Sequence, residues 1–328
     1  MANGKHWIGV DLGGTKILAG VFDQDVKLVA KSKLATNYED GGPAVFGRIV
    51  QAVDQAIKDA GVAAENIAGL GLAVPGQIVP QSTIVRYAPN LQWRDFDLTP
   101  LFPAHWKWPV IVDNDVRMGT FGEWSRGAAK GAKNVFGIFA GTGVGGGLIL
   151  NNKLFHGFNG HAGEIGHIII GWKHGTELEA IAGRRNLMLR AKELIADAPK
   201  NIRKEWKNTD PTTFKSSLIA EYVEKQDPIM LQVMDEAARA IGAGVGTVIN
   251  LLSPEVIVIG GGVTKALGAQ FPERIWEFAQ RYALPRATEN VRCVMSALGD
   301  DAGITGAAAY AQQRFAAGDA AMPETAAV

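Results

Sequence analysis

Twice along the chain a short apolar run meets a glycine-rich turn and resumes as a second apolar run, first over Gly9 to Val21 and again over Ile138 to Leu150. Each is the pattern of two strands joined by a tight connection, since large apolar residues favour strands and glycine punctuates them. The first turn reads Asp11-Leu12-Gly13-Gly14-Thr15-Lys16, and the second runs from Gly141 to Gly147. After the first, the spacing predicts a third strand over Val26 to Leu34, an amphipathic helix over Val45 to Ala60, and a buried strand over Ile67 to Val74 ending at Pro75-Gly76. Another strand, Pro109 to Val112, leads into Asp113-Asn114-Asp115 and a helix carrying Phe121 to Trp124. After the second turn come a long helix over Met234 to Leu252 and a buried strand, Glu255 to Ile259, running into Gly260-Gly261-Gly262. A last helix is expected over Ala302 to Phe315, a surface excursion over Ala198 to Thr213, and a frayed end over Ala316 to Val328. A recurring βββ-then-helix series in 328 residues implies a duplicated α/β unit and two domains facing each other across a cleft.

The glycines matter because there are 40 of them and they cluster. Phosphate oxygens need close approach by backbone N–H groups, which a residue without Cβ permits, and glycine also tolerates positive φ. Read alone, either turn is equally an ordinary hairpin; two at matching places, both holding a threonine, favour a phosphate cradle. Gly141 to Gly146 satisfies G-x-G-x-x-G, but a strand rather than a helix is expected after it, against a dinucleotide fold. No P-loop sequence occurs.

Charge narrows the partners. Lys plus Arg and Asp plus Glu both number 33, so no global basic field draws the chain to nucleic acid or an anionic membrane. Cys293 is the single cysteine, excluding an intramolecular disulfide and a cysteine-rich zinc site. Met1 to His6 lacks a signal-peptide profile, and apolar runs are broken well short of a membrane span, so a cytoplasmic location is expected.

Taken together, Asp11 to Lys16, Asn114-Asp115, Gly141 to Gly147, the run Gly160-His161-Ala162-Gly163-Glu164-Ile165-Gly166-His167, Pro254 to Gly262 and Leu298 to Gly303 resemble, in order, the motifs of the ROK family of repressors and kinases. The resemblance implies a two-domain, actin-like (ribonuclease H-like) sugar-kinase fold with a central cleft. It divides the chain into 1–116 plus 303–328, and 117–302. It implies ATP and Mg²⁺ as cofactors, a hexose as substrate with glucose foremost, and a homodimer. By the same resemblance Asp115 is the catalytic base, and Gly76, Asn90, Asn114, Asp115, Glu164, His167 and Glu179 bind the sugar. Gly13, Gly14, Thr15, Lys16, Gly141, Thr142 and Gly143 cradle phosphate, Gly260, Gly261 and Gly262 lie under the adenosine, and Asp11 holds Mg²⁺ directly or through water.

Each of these has a plainer reading. Asn114 and Asp115 at a strand–helix junction are common helix caps, and Asp113 is an alternative base. His161, Glu164 and His167 lack the H-E-x-x-H spacing of a metal helix. Many ROK proteins carry a cysteine-rich zinc loop after the histidine matching His167; here Ile168 to Leu178 is short and without cysteine. His167 is then expected to be oriented by protein groups, through packing near Trp172. Zinc-free branches include some that accept polyphosphate, which keeps that donor as an alternative, as are fructose, mannose or an N-acetylhexosamine as acceptor. A sugar-sensing repressor and a sugar-independent ATPase are the rival classes. The first motif begins at Gly9, so no helix-turn-helix is expected before it and the repressor class is disfavoured.

Overall fold

The computed structural model describes residues 5–206 and 215–316. The frayed end expected after Ala316, and all of Asn208 to Thr213, lie outside the described residues. The chain folds as two compact units: one runs to Gly131, takes in Gly147–Ala162 and resumes at Asp300, and the other comprises Ala132–Gly146 and Gly163–Gly299.

The first unit opens with strands β1 (His6–Leu12), β2 (Lys16–Phe22) and β3 (Leu28–Ala35), antiparallel in succession. Val26 takes a left-handed φ of 56°, so β3 starts two residues later than the apolar run suggests. Helix α1 (Gly42–Ala60) buries Val45, Phe46, Ile49, Ala52, Val53 and Ala56 along one face. It stops at Gly61, whose φ of 63° turns its N–H back onto the carbonyls of Ile57 and Lys58. Strand β4 (Ile67–Val74) lies parallel to β1. Three short strands, β5 (Gln77–Ile78), β6 (Ile84–Ala88) and β7 (Trp93–Asp97), then make a small antiparallel sheet absent from the sequence expectations. Strand β8 (Val110–Asn114) joins β4 in parallel and helix α2 (Asp115–Ser125) follows at once. The sheet order is β3-β2-β1-β4-β8.

Strands β9 (Val135–Ala140), β10 (Val144–Leu150) and β11 (Lys153–Leu154) restart the pattern. Gly145, Gly146 and Gly147 lie inside β10, so the second turn is only Gly141 to Gly143, shorter than expected. The reason is packing: a Cβ on Gly146 would stand 2.6 Å from the Gly163 carbonyl oxygen, and one on Gly147 2.5 Å from Thr120 Oγ1. Strands β12 (Ile169–Gly171) and β13 (Thr176–Glu177) form a hairpin, followed by α3 (Leu178–Ala182) and α4 (Arg184–Asp197). The described part of the expected surface excursion contains helix α5 (Lys200–Glu205) and a buried residue, Trp206. Trp206 is 3% exposed, stacks on Tyr222 and donates its indole N–H to Asp227 at 3.0 Å. An apolar ring with one polar edge is cheaper to anchor than to leave in water. Helices α6 (Ser216–Glu224) and α7 (Pro228–Leu252), strand β14 (Val256–Gly260), helices α8 (Gly262–Leu267) and α9 (Gln270–Tyr282), and strand β15 (Arg292–Met295) complete this region. The second sheet has the order β11-β10-β9-β14-β15, the first sheet's order repeated. Both run 3-2-1-4-5 in their own sequence order, which is the duplication the two glycine turns signalled.

Helix α10 (Ala302–Ala316) belongs to the first unit and sits on β1 and β4. It does so by backbone contact: a Cβ on Gly9 or Gly71 would overlap the carbonyl oxygen of Ile304 or Ala307, and one on Gly306 that of Met118. Gly9, Gly71 and Gly306 therefore serve close packing of α10 rather than turns.

Candidate active site

The first turn closes with Gly13 N–H donating to the Lys16 carbonyl at 2.9 Å. Thr36 at the end of β3 fixes it from the side, its hydroxyl donating to the Gly13 carbonyl at 2.6 Å and its N–H to that of Thr15 at 3.1 Å. Neither Gly13 nor Gly14 has positive φ, so conformational freedom is not what the turn needs. Gly14 is required by approach: its Cβ would lie 3.1 Å from the Asn90 carbonyl oxygen and 3.3 Å from Asn90 Cβ.

Asp11, half-buried at the end of β1, faces the N-terminus of α10, where Gly303 leaves room for its carboxyl. Burial and the charges of Asp115 and Asp300, opposed by Lys16, push its pKa up from 3.8 to about 7. Lys16 Nζ stands 4.0 Å from Asp300 Oδ2. A carboxyl so disposed gains from any cation that arrives, and hard oxygen donors suit magnesium, which commonly takes one or two carboxylates plus substrate phosphates. The donor chemistry at Asp11 thus fits that ion. Among the described residues no three His, Cys, Asp or Glu side chains, His161, Glu164 and His167 included, are grouped to hold a metal by themselves.

At the β8–α2 junction Asn114 caps the helix, its Oδ1 accepting from Val116 N at 2.9 Å and Arg117 N at 3.0 Å. Its Nδ2 donates to the Gly76 carbonyl at 3.1 Å, which leaves one amide hydrogen for another acceptor. Gly76 has φ 101°, and a Cβ there would overlap the Tyr87 carbonyl oxygen. Asp115, half-buried, is the first residue of α2 and accepts from Val116 N at 2.9 Å. Asp113 is committed elsewhere: its Oδ1 accepts from Arg117 Nε at 2.7 Å and its Oδ2 lies 2.6 Å from His156 Nε2. Burial acts to raise its pKa, but the His156 hydrogen bond and the Arg117 charge outweigh it and hold the carboxyl below its ordinary range. Both oxygens of Asp113 are thus engaged, which disfavours it as a base.

In the second unit, Gly141 N–H donates to the Gly143 carbonyl at 2.8 Å. Arg184 brackets the turn, its N–H donating to the Gly141 carbonyl at 3.1 Å and its guanidinium to Thr142 Oγ1 at 3.2 Å. Glu179 accepts from Val144 N at 2.7 Å, and a Cβ on Gly143 would overlap its carboxylate. A Cβ on Gly166, between Glu164 and His167, would overlap the Val144 carbonyl oxygen and stand 3.4 Å from Glu179 Cβ. The structure thus gathers Gly143, the Glu164–His167 turn and Glu179. His167 is oriented by Glu177, its Nδ1 lying 3.1 Å from Glu177 Oε2, and not by Trp172, which is 82% exposed. Trp172 was the nearest aromatic residue in sequence, whereas the β12–β13 hairpin returns Glu177 instead. Gly261 has φ 96° and packs on the Ala140 carbonyl, while Gly262 begins α8.

A profile of the ROK family matches residues 7–314. The chain belongs to the ROK family. It is 34% identical to the glucokinase of Halalkalibacterium halodurans over 311 residues, 92% of this chain and 93% of that one. A ROK glucokinase from Streptomyces griseus, solved in complex with glucose and AMPPNP, superposes with a TM-score of 0.78 at 31% identity, covering 94% of this chain and 99% of that one. A ROK hexokinase from Thermus thermophilus does so with a TM-score of 0.78 at 29% identity, covering 95% and 99%. The actin-like sugar-kinase fold expected from the motifs is the fold of this ROK protein. Asp300 beside Asp11, Thr36 beneath the first turn and Arg184 beside the second were given no role by spacing. Of the three only Asp300 carried a signal, the acidic pair before α10.

Proposed function

We propose that this ROK protein transfers the γ-phosphoryl group of ATP to the 6-hydroxyl of a hexose, glucose being the preferred sugar. The observation that carries the reading is the placement of Asp11 against Gly303 at the start of α10, with Lys16 of the first glycine turn beside Asp300 and with Asp115 charge-coupled to Asp11. The full-length likeness to glucokinases supports it. On this reading Asp115 accepts the hydroxyl proton as the new P–O bond forms and the bond to ADP breaks. A carboxylate suffices, because most of the acceleration comes from alignment and charge neutralisation.

Gly13, Gly14, Thr15, Lys16 and Gly141 to Gly143 take the phosphates, and Gly260 to Gly262 the adenosine. Glu164, His167 and Glu179, with Gly76, Asn90 and Asn114, bind sugar hydroxyls, and a hexose lacking one of them leaves a polar group unpaired. Asp11 holds magnesium, directly or through water, and the ion when bound offsets phosphate charge. The protein works as a cytoplasmic homodimer. No described helix is long and apolar enough to cross a membrane.

A coupled assay over a hexose panel, with ATP and polyphosphate in parallel, tests this. ATP with glucose should give the highest kcat/KM. Hydrolysis of ATP at the same rate with and without any sugar would overturn it, and a preference for polyphosphate would replace the donor.

A further inference from the structure

The segment from Phe155 to Ala162 follows β11 and leads into the Glu164–His167 turn, yet its own contacts are with β8 and α2. His156 Nε2 lies 2.6 Å from Asp113 Oδ2, and since the ionised Asp113 only accepts, the imidazole donates. Arg117 reaches the same segment from α2, its Nη1 donating to the Gly160 carbonyl at 2.6 Å while its Nε holds Asp113 Oδ1 at 2.7 Å. The segment is closed on itself by Ala162 N–H donating to the His156 carbonyl at 3.0 Å. Gly160, at φ 74°, packs against Pro80 and the Ile78 carbonyl. The Asp113–Arg117 arm of the bridge therefore spans the three residues between them, Asn114, Asp115 and Val116. Asp113 Oδ1 also accepts the Asn114 N–H at 2.7 Å, and Asn114 in turn caps the amides of Val116 and Arg117. Rotation of Asp113 would move the cap and with it the first turn of α2, which carries Asp115.

We infer that His156 is a positioning residue for phosphoryl transfer, acting through Asp113 to fix the direction of the Asp115 carboxyl. The inference rests on the kinase reading for its catalytic half and on geometry alone for its structural half. Neither partner touches the reacting atoms. Asp113 and Arg117 have side chains 6% and 3% exposed, so removing either leaves an uncompensated buried charge and threatens folding. His156 is 31% exposed and is the member that tolerates replacement. Rates of aligned reactions are steep in distance, with about 100-fold lost for a displacement of about 1 Å. Loss of the His156 bond thus predicts a fall in kcat with substrate affinity preserved.

The test compares His156→Ala, His156→Gln and the parent protein. Glutamine keeps a donor near the position of Nε2 without an imidazole. Expected for His156→Ala is a kcat lower by roughly 10- to 100-fold, with KM for glucose and for ATP within about threefold of the parent. Hydrogen exchange at the amides of Asn114, Val116 and Arg117 should quicken while the rest of the chain keeps its protection, and His156→Gln should recover most of both. Unchanged kcat, a glutamine variant no better than alanine, or exchange quickened throughout the chain would overturn the inference. A parent protein inactive on every hexose would sink the kinase reading and the catalytic half with it. Unaltered exchange at 114–117 would sink the bridge however the kinase assay falls.

Discussion

Replacing Asp11 with asparagine should stabilise the metal-free protein at pH 8 while abolishing its activity. Raising the carboxyl pKa from 3.8 to about 7 means that the folded state binds this proton more tightly than the unfolded chain does. Stability from this group is therefore present below the unfolded value, falls as pH rises from about 4 to about 7, and is flat above that. Holding the charge at pH 8 costs at most about 4 kcal/mol, and at pH 5, where the folded carboxyl is protonated, under half as much. The Asp11 charge is coupled to those of Asp115 and Asp300 and part of Asp11 is solvated, so about 2 kcal/mol is the expected net value. For a unit of this size that is a rise in Tm of roughly 4 to 8 °C. Thermal unfolding in EDTA at pH 5 and pH 8 reads it directly. Asp11→Asn should melt higher at pH 8, by a margin that shrinks at pH 5. Magnesium with ATP should raise the parent's Tm more than the variant's. A variant that melts at or below the parent at pH 8, or a margin indifferent to pH, refutes the account of Asp11.

Other substitutions test the remaining parts. Gly143→Ala puts a methyl group into the Glu179 carboxylate and should break its bond to Val144 N, raising KM for a substrate about tenfold with little change in Tm. Gly9→Val meets backbone at Ile304 rather than a movable side chain, so soluble expression should fail or unfolding free energy drop by about 3 kcal/mol or more in denaturant titration. Lys31→Ala removes an ion pair with Asp301 that is partly exposed on both sides, and its stability cost should stay below about 1 kcal/mol with kcat unchanged. Glu177→Gln weakens the orientation of His167 and should raise KM for glucose more than KM for ATP in steady-state kinetics.

The strands and long helices were legible in the chain because their signals are local. Ile67 to Val74 is an uninterrupted apolar run and became β4 with those bounds, and the 3.6-residue recurrence from Val45 to Ala56 became the buried face of α1. The duplication was legible from two glycine turns, and the identical sheet orders realise it. What spacing does not carry is the partner across the fold. Gly145 to Gly147 read as turn because glycine signals a turn locally, while the requirement at Gly146 and Gly147 comes from Gly163 and Thr120, far away in sequence. Trp206 read as surface from its Lys- and Asn-rich neighbours, although Tyr222 and Asp227 bury it. The Asn114 cap was legible as a type of residue at a junction, but the Asp113–His156 bond joins positions 43 residues apart and left no pattern to read.

The most direct measurement is glucose 6-phosphate formation from ATP and glucose by the parent and by Asp115→Asn. The amide keeps the shape of the side chain and removes its capacity to take the proton. The account predicts that the parent forms the product and that kcat falls by roughly 100- to 10,000-fold in the variant, with KM for ATP little changed and the fold intact. Asp115→Asn forming glucose 6-phosphate at the parent's rate would contradict it.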